Sequence, residues 1–149
     1  MNKIIEEKIE FLMENGEFNK LKEYTQHNNY STYDHCIAVA EQALKIVDKF
    51  NIKIDKDELV VTALLHDYYL YDWHTADKSH RYHGFSHGKK AMKNAIAHYK
   101  INKRQQIAIA RHMFPLTLPP TNKLGIIITL ADKICATKEV FITKPKLAT

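Results

Sequence analysis

Apolar positions recur at helical spacing along almost the whole chain, broken by short polar stops. Ile5, Ile9 and Leu12 share one face, and Asn15-Gly16 supplies a stop. A second short helix is expected from Glu17 to about Gln26. Ser31 can cap the next, with Asp34 three residues on in capping-box style. Its apolar arc, including Val39, Ala43, Ile46 and Val47, carries that helix to about Phe50. Asp55 with Glu58 opens a further helix, expected from about Lys56 to Tyr69. This one is apolar nearly all the way round and belongs in the middle of a bundle.

A polar, aromatic and histidine-rich connection follows from Tyr71 to Phe85. Ser86 is expected to cap a helix to about Tyr99, whose Gly88, Ala91 and Ala95 suit close packing. Asn102 caps a helix ending near His112, and "FPLTLPP" is a loop because its prolines cannot donate backbone hydrogen bonds. The last helix runs from about Lys123 to Phe141. "GIIITL" within it is β-branched enough for a short buried strand, but the pattern continuing through "ADKICATKEV" favours helix. The expectation is an all-α helical bundle forming one domain over residues 1–149, with a helical extension over 1–30 and the core over 31–141.

Composition narrows the class. A chain of 149 residues, 45% hydrophobic and 26% charged, has the profile of an ordinary globular domain rather than a disordered one. The formal charge of +5 would help attract phosphorylated ligands, although a plain surface excess of lysine accounts for it equally well. The N-terminal stretch is charged throughout, without a signal-peptide core, and no apolar run is long enough to span a bilayer. Cys36 and Cys135 fall inside helices with no paired-cysteine zinc motif, and read as reduced core residues of a cytoplasmic protein. Basic residues are scattered rather than striped, so neither nucleic acid nor membrane is expected as a partner.

Candidate chemistry begins in "TALLHDYYLYDW", residues Thr62 to Trp73, where His66 and Asp67 stand beside Leu64 and Leu65. An ionised aspartate among leucines is costly unless it is paired or binds a metal. The two side chains occupy neighbouring arcs of one buried helix and converge only on a point beside the helix end. Asp132 is a second acid on an apolar stripe, with Ile128, Cys135 and Ala136 as helical neighbours. Two buried acids repel unless a cation or proton intervenes. His35 lies at the edge of its own apolar arc. One site between three central helices would gather all four, and its imidazole and carboxylate donors suit iron, manganese or zinc better than calcium.

In order and separation, His35, the His66-Asp67 doublet and Asp132 within "TLADKI" resemble the HD-domain superfamily of metal-dependent phosphohydrolases, over about residues 31–140. The resemblance implies that these four residues bind a first metal on an all-helical bundle. It also implies a second metal held by His87 and His112, with Asp67 bridging and His83 ranked behind His87. The implied cofactor is one or two divalent transition-metal ions (Fe, Mn, Zn, Ni or Co). His87, read as opening a helix, would be kept neutral by the positive helix end. "HGFSHGKKAMKNA" followed by "RHMFPLTLPP" is similar to a bacterial subgroup of small HD hydrolases. Tyr68 and Tyr69 depart from the small residue, glycine and lysine that often follow the doublet, and the GYP signature of the cyclic-di-GMP branch is missing.

The implied reaction is hydrolysis of a phosphate ester or anhydride in a small phosphorylated metabolite, a nucleotide first, by metal-activated water. Asp67 is then the central catalytic residue. Arg111 and Lys133 are candidates for holding phosphate because each adjoins a ligand, although neighbouring helical residues point about 100° apart. Two other readings share these ligands: a di-iron HD-type oxygenase, and a non-catalytic sensor binding metal or nucleotide. Blander readings are a metal-free His66–Asp67 core pair, a solvated loop His80, and His27, His74 and His98 without a role. Tyr68, Tyr69, Tyr71 and Trp73 form either a base-stacking pocket mouth or a core edge, and Lys89, Lys90 and Lys93 a solvated face.

Overall fold

Side-chain caps set where most of the helices begin. The computed structural model describes residues 1–27, 29–71 and 83–142, with backbone alone at 27, 83, 85 and 142. Helix α1 spans Lys3–Asn15, capped by the Asn2 side chain, and buries Ile5, Ile9 and Leu12. At Gly16 the ring of Tyr99 lies so close that any Cβ would collide with it. A 3-10 turn over Phe18–Glu23 buries Phe18 and Leu21.

The chain then extends, and the short helix expected to reach Gln26 stops at Glu23. Strand β1, Thr25–His27, pairs antiparallel with β2, Tyr30–Ser31. Tyr24 is already extended, and its carbonyl accepts from the amide of Thr32 at 2.7 Å. Tyr24, Thr25 and Tyr30 are also good strand formers. The segment before the core is therefore part helix and part hairpin, not the wholly helical extension expected.

Helix α2, Thr32–Lys49, opens on a complete capping box between Ser31 and Asp34. Helix α3, Lys56–Leu65, is capped by Asp55. Glu58 leaves its half of that box unmade, and its carboxylate instead takes a fork of two 3.1 Å bonds from Arg104. Helix α3 ends at Leu65, short of the expected Tyr69. His66 bends back onto it, and Leu70 adopts a left-handed φ of 61° that no helix continues through.

Helix α4 spans His83–His98, so Ser86 lies inside it rather than capping it. The stripe of small residues explains the earlier start, because Gly84 continues Gly88, Ala91 and Ala95 back by one turn. Helix α5, Lys103–Ala110, has a second full capping box between Asn102 and Gln105. Helix α6, Lys123–Ile142, is continuous through "GIIITL", where burial of Ile127, Ile128 and Ala131 favours helix over strand.

Helix α2 packs on α3 and α6, α5 packs on α4 and α6, and α1 covers α3. The fold is an all-α bundle with one small hairpin at its N-terminal side. No described helix is long and apolar enough to cross a membrane. At Gly88 backbone meets backbone, and an added Cβ would sit 2.8 Å from the carbonyl oxygen of Ala110 and 3.0 Å from that of Ile109. Because backbone cannot yield as a side-chain tip can, Gly88→Val should part α4 from α5 and destabilise the fold by roughly 2 kcal/mol. Urea unfolding of the variant checks this, and an unchanged midpoint would contradict the contact.

Candidate metal centre

Six buried side chains from five segments meet inside the bundle. Their donor atoms fall into two groups, His35, His66, Asp67 and Asp132 in one, and Asp67, His87 and His112 in the other. Within each group the atoms lie within 4.8 Å of one another. Asp67 belongs to both. Its Oδ2 faces the first, 3.4 Å from His66 Nε2 and 3.6 Å from His35 Nε2. Its Oδ1 faces the second, 3.2 Å from His87 Nε2 and 3.3 Å from His112 Nε2. Asp132 Oδ1 closes the first group, 2.8 Å from His35 Nε2 and 3.3 Å from His66 Nε2.

Local structure aims the imidazoles. His66 follows the last residue of α3, and its Nδ1–H donates to the carbonyl of Ala63 at 2.6 Å. His112 lies just beyond α5 and does the same to Ile109 at 2.7 Å. Each ring is thereby anchored on a carbonyl near a helix end and turns its Nε2 inward. His35, in the first turn of α2, donates Nδ1–H to Glu139 Oε2 of α6 at 2.6 Å. A carboxylate on the far nitrogen of a ligating histidine fixes its tautomer and raises its basicity. His87 lies one turn inside α4, so the helix-end argument for its neutrality does not apply.

The electrostatics follow from burial and charge. Burial alone would lower His35, but hydrogen bonds to Asp132 and Glu139 reverse this and push it up to about 10. Burial would lower His66 too, but Asp67, Cys36 and Asp132 together outweigh it and hold His66 well above its ordinary value. Desolvation would raise Asp67 and Asp132, yet the surrounding imidazoles hold both far below the usual carboxylate range. His112 is lowered by burial first and then by the charges of His87 and His66.

A neutral His112 donating through Nδ1 presents a bare lone pair, and its Nε2 stands 2.8 Å from that of His87. Asp67 Oδ1, between them, has no hydrogen-bond partner among the described residues. Buried lone pairs in such proximity need a cation or a proton between them. Four imidazole nitrogens with two carboxylates suit a divalent transition metal in each group.

The sequence-derived candidates are placed as follows. His35, His66, Asp67, His87, His112 and Asp132 come together. His83 opens α4, but its side chain lies outside the described residues, as do His27's side chain and all of His74, His80 and Trp73. Lys133 is exposed. Arg111 donates to the carbonyl of Pro119 and lines a groove with Lys89 and Lys103. No described contact brings either cation to the cluster. Tyr68 is core, accepting from the Glu17 amide and donating to His98, so that histidine has a structural role. Cys36 and Cys135 are buried and free, in line with the reduced thiols expected.

Two residues of the centre escaped the sequence reading. Glu139 follows Asp132 by two helical turns on a buried face, a heptad spacing that could have flagged it. Gln26 donates from Nε2 to Asp67 Oδ2 at 3.1 Å. It sits in the hairpin that was read as helix, where no pattern announced it.

The model of the HD domain matches residues 32–137, well over half of the chain. The chain belongs to the HD domain family. Most members of that family are metal-dependent hydrolases. Neither the curated proteins nor the solved structures compared with the chain include a match.

Two measurements follow from the geometry. Because His35 holds its proton to about pH 10, an incoming metal must displace it. Apparent metal affinity should therefore rise between about pH 6 and pH 9, with protons released on binding. Calorimetry in buffers of different ionisation enthalpy reads both, and a pH-independent affinity would exclude His35 as a ligand. Glu139→Ala should weaken metal binding by about 10- to 100-fold, measured by chelator competition. Wild-type affinity in that variant would show that the Glu139 bond has no bearing on the metal.

Proposed function

We propose that this HD domain is a metal-dependent phosphohydrolase that cleaves a phosphate ester or anhydride of a small phosphorylated metabolite, a nucleotide first. The observation carrying the reading is the single carboxylate of Asp67 shared between two buried donor groups. Such an arrangement suits two divalent cations held close together. When bound, the ions supply Lewis acidity that lowers the pKa of water and offsets charge on phosphoryl oxygens.

The chain's own residues have distinct tasks in this scheme. Asp67 fixes the separation of the two groups through its two oxygens. Asp132 adds the second negative charge, and the imidazoles donate without adding more. All six side chains are buried, which limits bulk water around the donor atoms. A groove of about 660 Å³ between α4 and α5 supports an anionic substrate, with Lys89, Lys103 and Arg111 among its lining residues and no acidic side chain. None of the six cluster residues lines it, and Lys89, exposed and about 200° round α4 from the buried His87, points away from the donor groups.

The test is a screen of nucleoside monophosphates, cyclic nucleotides and dinucleoside polyphosphates with added Mn²⁺, Ni²⁺ or Mg²⁺. Phosphate-bond cleavage is expected, abolished by chelator and by Asp67→Ala, with loss of bound metal in the variant. Full metal retention by Asp67→Ala would refute the site. Oxygen uptake with an organic substrate would favour the oxygenase reading, and nucleotide binding without turnover the sensor.

A further inference from the structure

We infer that Gln26, from the hairpin that precedes the HD match, is a positioning residue that orients Asp67 and thereby governs loading of the second metal group. The inference rests on the two-metal reading above and concerns a residue outside the span of 32–137.

The local fold delivers this side chain deliberately. The hairpin pairs Thr25 with Ser31 and His27 with Tyr30, and its register is irregular between Thr25 and His27. Gln26 occupies that irregularity. A bulge re-aims one side chain relative to regular pairing. Gln26 is 8% exposed, although the hairpin lies at the edge of the bundle.

Its amide can be oriented in only one way. Oε1 accepts from the Tyr69 hydroxyl at 2.8 Å and, more weakly, from Thr32 Oγ1 at 3.4 Å. Nε2 donates to Asp67 Oδ2 at 3.1 Å. Reversing the amide would set its oxygen against a carboxylate oxygen. The donor is neutral, so it holds the carboxylate without competing as a cation for the metal ligands around it.

The two groups do not depend on Asp67 equally. The first retains Asp132 as a second carboxylate along with His35 and His66. Among the described residues the second has Asp67 as its sole anion, beside two imidazoles. Its oxygen, Oδ1, has no hydrogen-bond partner among the described residues, His87 and His112 approaching it at 3.2 and 3.3 Å. The direction of Oδ1 is therefore coupled to Oδ2, where Gln26 donates at 3.1 Å alongside the longer ion-pair contacts of His66 and His35. Releasing Oδ2 lets the carboxylate turn, at the expense of the second group.

Gln26→Met tests this, since methionine matches the length of glutamine but cannot donate. Mn²⁺ titration followed by calorimetry and electron paramagnetic resonance reads the two binding steps separately. The expected result is a first step within about 3-fold of wild type and a second weakened by about 10-fold or more. The metal-free melting temperature should move little. Tyr69→Phe, which removes the hydroxyl holding Oε1, should shift the second step in the same direction by less, and serves should Gln26→Met not fold. Unchanged second-step affinity in the variants would overturn the inference. Equal weakening of both steps together with a lowered melting temperature would also overturn it, by reducing Gln26 to packing. A wild-type protein that binds no second ion would instead remove the two-metal reading itself, and this inference with it.

Discussion

Mutual repulsion at the centre of the bundle is the constraint around which the rest is arranged. Asp67 and Asp132 are buried together, and the Nε2 atoms of His87 and His112 stand 2.8 Å apart. A core of leucines and isoleucines would not tolerate these groups uncompensated. In the metal-free state protons on His35 and His66 balance the acids. Bound cations would do the same work while leaving both imidazoles neutral.

Each helix contributes by where it stops as much as by what it buries. Helix α3 ends at Leu65 and α5 at Ala110, and both place a histidine of the cluster just past the final turn. The α4–α5 contact at Gly88 sits beside His87, so backbone proximity sets the reach between the two imidazoles of the second group. Helix α6 supplies Asp132 and, two turns later, Glu139. The outermost contribution comes from the hairpin, through Gln26.

Much of this was legible in the residues. The six side chains that meet were all candidates, His35, His66, Asp67 and Asp132 because titratable groups on apolar stripes are conspicuous, His87 and His112 only through the resemblance to HD domains. The capping boxes at Ser31 and Asn102 fell where side-chain chemistry put them. Helix ends were harder. Apolar character continues through Tyr68 and Tyr69, so periodicity gave no reason to stop α3 at Leu65, and the bond from His66 to Ala63 that helps turn the chain is invisible in one dimension. Ser86 resembled a cap because serine serves equally well inside a first turn. Gln26 was hidden for a different reason. Its position depends on a Thr32–Tyr24 backbone bond and an irregular two-strand register, neither of which leaves a compositional trace.

The histidines differ in what secures their proton. His66 and His112 are held by peptide oxygens, which every amino acid supplies at that position. Sequence drift at Ala63 or Ile109 can change volume but cannot delete the acceptor. His35 relies on a carboxylate that a single codon change would erase. Substitution can thus scarcely detune two of these imidazoles, whereas the basicity of the third is adjustable from a distance, through residue 139.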